Sequence, residues 1–206
     1  MHWRTINQVL GNIDLYWLDF ILKGYLGDKD RILDVGCGEG RNLVYCMRQG
    51  YDVFGIDKNT DAIKFLRILG RQLKLSDVEA RFQVMDMSNL RFPDHSFDVI
   101  INSAVLHFAN DEEHFLQMFK ECLRVLKPGA KLFIRTMTDA HFADNEFAIS
   151  AQNLSSEYGH RFVLNESLLN RLLCDYPIGW FETPKNVIVG NERSMSVFIL
   201  EKKNNA

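Results

Sequence analysis

Phe97-Asp98-Val99-Ile100-Ile101-Asn102 is almost unbroken apolar chain, with no alternate set of residues suited to water. A strand of that kind is buried on both faces, and between helices it belongs to a parallel sheet covered by two helical layers. Arg31–Val35, Asp52–Ile56, Ala80–Met85 and Lys131–Thr136 read as companion strands. Helical spacing falls between them, at Asn42–Gln49, Thr60–Leu75 and Asp111–Leu126. Asn59 is the expected cap of the second helix, and an acidic first turn opens the third. Right-handed crossovers make this alternation a doubly wound α/β domain.

The rhythm changes towards the end. Glu166–Cys174 reads as a helix, and Gly179–Val189 and Met195–Glu201 read as strands joined by Gly190-Asn191-Glu192-Arg193, a sequence suited to a hairpin turn. The fold expected is therefore a mostly parallel, seven-stranded sheet with an antiparallel C-terminal hairpin. Before the first strand, one helix is expected over Thr5 to Tyr25, with Ile6, Val9, Leu10, Ile13, Tyr16, Trp17, Phe20 and Ile21 at helical spacing and Gly27 as the stop.

The chain of 206 residues suits a single domain. A net charge of −3 gives no electrostatic footprint for nucleic acid. No apolar run reaches the roughly 18–20 residues of a membrane span, and the first residues lack the apolar core of a signal peptide. Cys37, Cys46, Cys122 and Cys174 are widely spaced, as expected for free thiols in a reducing cytoplasm. The six histidines show no metal-binding spacing.

The chemistry concentrates where the first strand runs into a glycine turn, Ile32-Leu33-Asp34-Val35-Gly36-Cys37-Gly38-Glu39-Gly40, and then into a helix. That arrangement lets a ligand approach the backbone at the carboxyl edge of the sheet. Asp57, at the tip of the next strand, lies twenty-one residues beyond Gly36, the placement of an acid that bonds a ribose diol. A dinucleotide fingerprint needs glycine at position 41, where this chain has Arg41, and Glu39 would meet a pyrophosphate with like charge. A sulfonium nucleoside carrying an amino acid brings positive charge instead, which Asp34 suits.

On these residues the chain resembles the class I S-adenosylmethionine-dependent methyltransferases, over about Lys29–Thr136. Leu33 to Gly40 is similar to the family's first motif, and Gly55-Ile56-Asp57-Lys58 to its second. The resemblance implies a Rossmann-like methyltransferase fold, with S-adenosyl-L-methionine as cofactor and S-adenosyl-L-homocysteine as product. It further implies that Asp34, Gly36, Cys37, Gly38, Gly40 and Asn42 border the cofactor. Asp57 would hold the ribose, with the Lys58 stem along the adenine and Asp86 and Met87 reading the adenine edge. Main chain near Asn102 and Ser103 would meet the methionine end. Arg124-Val125-Leu126-Lys127-Pro128-Gly129-Ala130 matches the turn before the fifth strand, and the final hairpin is also a feature of this family.

Methyl transfer from a sulfonium is an in-line displacement with a neutral leaving group, so no catalytic triad or carboxylate pair is required. His107, just past the fourth strand, is the candidate base, with a packing or capping role as its alternative. The expected organisation is a helical cover (1–28), a cofactor core (29–136), a substrate-side insertion (137–164) and a helix with hairpin (165–206). The long Met137–Leu164 connection offers His141, Phe142, Tyr158, His160 and Arg161 towards an acceptor. A small-molecule acceptor is expected, with no nucleic acid and no membrane, and the protein acting as a monomer or homodimer. The competing readings are an NAD(P)-dependent oxidoreductase and a non-catalytic module that binds an adenosyl ligand.

Overall fold

A computed structural model describes residues 2–139, 161–189 and 193–204. The hairpin turn at 190–192 and the insertion residues His141, Phe142, Tyr158 and His160 lie outside the described residues.

The first helical segment is two helices, α1 (Trp3–Leu10) and α2 (Leu15–Leu22), instead of the single helix expected from Thr5 to Tyr25. Gly11 turns the chain at φ +63, and the Asp14 carboxylate then caps α2 by accepting the Tyr16 and Trp17 N–H groups. The apolar spacing continues through the break, which is why periodicity alone merged the two.

β1 (Arg31–Val35), α3 (Val44–Arg48), β2 (Asp52–Asp57) and α4 (Thr60–Gln72) follow, with Asn59 capping α4 through the Asp61 and Ala62 N–H groups. Next come a single helical turn, α5 (Val78–Arg81), and β3 (Phe82–Val84). β3 is shorter than expected because it pairs with β2 only along Gly55–Asp57, while Arg81 remains in the turn, bonded to the Ser76 carbonyl. β4 (Phe97–Ser103) leads through a 3₁₀ turn (Leu106–Phe108) to α6 (Glu112–Val125), capped by Asp111, and then to β5 (Leu126–Thr138). The chain ends with α7 (Glu166–Asp175), β6 (Ile178–Val189) and β7 (Arg193–Lys202).

Among the described residues seven strands form one sheet in the order β3-β2-β1-β4-β5-β7-β6. The first five are mutually parallel; β7 inserts antiparallel between β5 and β6, from Lys131 opposite Glu201 to Thr138 opposite Ser194. Each central strand feeds both layers. Leu33, Val35, Ile56, Ile100 and Ile134 pack towards α6 and α7. Ile32, Val53, Val99, Ile101 and Phe133 pack with Trp17 and Phe20 of α2 and with Ile63 and Leu66 of α4. The order reverses at β1 and β4, so the crevice for a ligand opens at the carboxyl ends of those two strands.

Candidate cofactor site

The glycine turn is held by hydrogen bonds to the tip of β2. Gly36 N–H and Cys37 N–H both donate to the Ile56 carbonyl, at 2.8 and 2.9 Å. Gly38 N–H donates to Asp57 Oδ2 at 2.8 Å, and Gly40 N–H to the Cys37 carbonyl at 2.9 Å. Two of these glycines are obligatory on steric grounds as well. Gly36 sits at φ +73, and a Cβ there would lie 2.4 Å from Val105 Cγ2; at Gly40, φ +85, it would lie 2.4 Å from Leu66 Cδ1. The Gly36, Cys37, Gly38 and Gly40 N–H groups are thus already committed within the turn.

Beside the turn lies a cleft of about 370 Å³, lined by Gly36, Asp57, Lys58, Met87, Ala104 and Val105 together with Ile56, Met85, Phe108, His114 and Met118. Ala104 turns at φ +64, in a region that costs a non-glycine residue roughly 1–2 kcal/mol, and its N–H is fixed by the Arg135 carbonyl at 2.7 Å. Strain of this kind collects at functional sites.

Asp57 accepts Gly38 N–H on one oxygen and Asn59 N–H on the other, both at 2.8 Å, and each oxygen keeps a lone pair for a ligand. The Lys58 ammonium pairs with Asp86 at 2.9 Å. Burial works against the Asp86 charge. The Ser88 N–H, Lys58 and the Ser88 hydroxyl outweigh it and hold the carboxyl below its usual value. Lys58 and Met87 line the cleft, and Asp86 stands at its rim through this pair.

Asp34 is 1% exposed, and its Oδ2 has no hydrogen-bond partner. Burial pushes its carboxyl well above the usual range; the nearby Arg41 pulls the other way, and the Asp57 and Asp14 charges add to the rise. A buried carboxylate oxygen without a donor costs free energy that an arriving cation returns. An ammonium group meets that need. The residues present therefore fit S-adenosylmethionine, with Asp34 for its amino group, Asp57 for its ribose diol and the Met85, Met87 and Val105 side chains for its base.

Other expected site residues also meet neighbouring elements. Asn42 Oδ1 accepts the Asp14 N–H at 3.1 Å and its carbonyl accepts Trp17 Nε1 at 3.0 Å, so Asn42 docks α2. Cys37 is buried, and burial raises its thiol well above the usual value, so its side chain fills space beneath Gly55. Asn102 is buried with Cys122 beside it, and the Ser103 hydroxyl donates to Asp14 Oδ2 at 3.2 Å.

His107 is buried, its carbonyl accepts Phe162 N–H at 2.9 Å, and it is not among the residues lining the cleft. His114, one turn into α6, lines it instead. Asn110 N–H donates to His114 Nδ1 at 3.1 Å. The sequence carried a signal for it, since His114 and Met118 lie one helical turn apart on α6 and share a face. Phe108 lines the cleft mouth, with the Arg161 guanidinium 4.5 Å from its ring centroid. No helix among the described residues is long and apolar enough to cross a membrane.

A family model described as a methyltransferase domain matches residues 33–134. Phosphoethanolamine N-methyltransferase 1 of Arabidopsis thaliana is 37% identical over 119 residues, which are 56% of this chain and 23% of that protein. The curated relatives this chain matches are longer than the match, which spans between 22% and 56% of their length. The crystal structure of a SAM-dependent methyltransferase from Methanosarcina mazei is 26% identical, covers 90% of this chain and 98% of its own, and superposes with a TM-score of 0.70. The [4+2]-cyclase SpnF also superposes with a TM-score of 0.70, at 18% identity over 91% of this chain and 80% of its own, a likeness of fold alone. Strand order, glycine turn and these likenesses agree: the chain belongs to the class I S-adenosylmethionine-dependent methyltransferases.

Proposed function

We propose that this protein transfers a methyl group from S-adenosylmethionine to a nucleophile on a small-molecule acceptor. The observation that carries the reading is the buried, partnerless oxygen of Asp34 next to the glycine turn that Asp57 closes. A pyrophosphate there would meet the Asp34 and Asp57 carboxyls with like charge, and a cationic amino group would find in Asp34 an oxygen without a partner. That disfavours the nicotinamide alternative. The cleft open beside Ala104 and Val105 weighs against a blocked, non-catalytic module.

The cofactor, when bound, supplies an electrophilic methyl group on a sulfonium. The residues of this chain then orient and desolvate. Asp34 and Asp57 grip two ends of the nucleoside, which fixes its position against sliding. Met85, Met87, Val105, Phe108 and Met118 line the cleft with apolar surface that excludes water. Positioning of that sort is worth up to about 7–11 kcal/mol of a bimolecular barrier. The relatives named for small-molecule methylation, among them the Arabidopsis enzyme, support the acceptor class.

Calorimetric titration with S-adenosylhomocysteine and with NAD, followed by radiolabelled methyl transfer to fractionated metabolites, tests this. Binding of the homocysteine derivative and label in a small-molecule fraction are expected. Binding of NAD alone, or label only in protein or RNA, contradicts the proposal.

A further inference from the structure

Beyond the cleft, the carboxyl edge of the sheet carries a charge cluster that the cofactor reading does not use. Asp14 Oδ1 caps α2, while its Oδ2 accepts Ser103 Oγ at 3.2 Å and faces Arg135 Nη1 at 3.1 Å and Arg41 Nη2 at 3.5 Å. Two guanidinium groups therefore share the Asp14 carboxylate, and the Arg41 charge also acts on Asp34. Each guanidinium has about five N–H donors in a planar fork. Among the described residues only Nη1 of Arg135 is engaged, and its Nε is buried with no hydrogen-bond partner; of Arg41 only Nη2 is engaged. The Tyr16 ring, 5.8 Å from the Arg135 guanidinium carbon, flanks it.

Placement separates Arg135 from the nucleoside. Asp57 ends β2, whereas Arg135 lies within β5, three strand spacings or roughly 14 Å away across β1 and β4. Neither arginine lines the cleft, and Ala104, whose N–H bonds the Arg135 carbonyl, stands between the two sites.

We propose that Arg135 and Arg41 form a seat for a carboxylate or phosphate group carried by the acceptor. The planar forks suit such an anion, which would satisfy the buried Arg135 Nε–H and share the guanidinium charge with Asp14. The inference rests on the methyltransferase reading and narrows its acceptor to an anionic small molecule.

The test is titration of inorganic phosphate into protein saturated with S-adenosylhomocysteine. Phosphate is expected to bind, and Arg135→Gln to weaken it tenfold or more, with Arg135→Lys in between. Asp14→Asn keeps the helix cap and removes the competing charge, so it is expected to tighten phosphate binding. A second arm compares S-adenosylhomocysteine with 5′-methylthioadenosine, which lacks the amino-acid tail; Arg135→Gln is expected to leave both affinities within twofold. Absence of phosphate binding to the saturated wild-type protein overturns the inference and leaves the methyltransferase reading standing. Loss of S-adenosylhomocysteine affinity with 5′-methylthioadenosine unaffected also overturns it, because the arginines then read the cofactor's own carboxylate. Failure of S-adenosylhomocysteine to bind at all overturns both.

Discussion

Gly38 N–H donates to Asp57 Oδ2 at 2.8 Å, so the acid at the tip of β2 is pinned by the glycine turn it faces. The same carboxylate that closes the turn is thereby aimed at the cleft, with its other oxygen steadied by Asn59. Hydrogen bonds to a charged group contribute roughly 1.5–3 kcal/mol each. Asp57→Ala is therefore expected to weaken S-adenosylhomocysteine binding by roughly 10- to 100-fold in calorimetry. An unchanged affinity would place the ribose away from β2.

Asp34 gives the protein a pH signature. Burial raises its carboxyl above the ordinary 3.8, so between that value and the raised one the native protein holds a proton that the unfolded chain has lost. Stability then falls as pH rises through that window. Thermal melts should show that slope in the wild type and a flatter profile in Asp34→Asn. Since the ionised form takes the cationic amino group, S-adenosylhomocysteine affinity should rise with pH over the same window, with proton release visible in buffers of different ionisation enthalpy. Affinity independent of pH would detach Asp34 from the ligand.

Gly36 tests the turn itself. Gly36→Ala adds a left-handed alanine, costing roughly 1–2 kcal/mol, and drives a methyl group into Val105, which lines the cleft. Both urea stability and S-adenosylhomocysteine affinity are expected to fall. Adding Val105→Ala should restore part of the loss, because it relieves the contact and leaves the backbone strain. Equal losses in the single and double variants would show that the contact with Val105 does not matter.

The N-terminal segment can be separated into cover and core. Trp17 is fully buried, stacks on Phe20 at 4.9 Å between ring centroids, meets Phe133 edge-on at 5.6 Å, and donates to the Asn42 carbonyl. Trp17→Ala should cost about 3–5 kcal/mol in chemical denaturation. A mobile lid would lose almost nothing. α1, none of whose residues is buried, is the contrasting case, and Trp3→Ala should leave stability within about 0.5 kcal/mol.

The sheet and the turn were legible in the sequence because their physics is local. A doubly buried strand such as Phe97–Ser103 has to be apolar throughout, and a backbone that reaches φ +73 against a valine has to be glycine. The break at Gly11 was hidden because apolar spacing ran through it. The spacing of His114 and Met118 puts them on one face of α6, but which way that face turns is set by the 3₁₀ turn at Leu106–Phe108, so they were missed as lining of the cleft. His107 looked suited to catalysis by position along the chain, yet it is buried, with Phe162 N–H on its carbonyl. Asn42 and Ser103 lie beside the cofactor motifs in sequence, but in space they hold α2 through Asp14. Arg135 sits among strand residues with nothing to mark it, until Asp14 arrives from a segment more than a hundred residues earlier.

A structure of the complex with S-adenosylhomocysteine tests the central claim most directly. The account predicts adenosine in the 370 Å³ cleft, with ribose hydroxyls within about 3 Å of Asp57 and the amino group within about 3 Å of Asp34. A ligand lying outside that cleft, with the Asp34 carboxylate still without a partner, would contradict it.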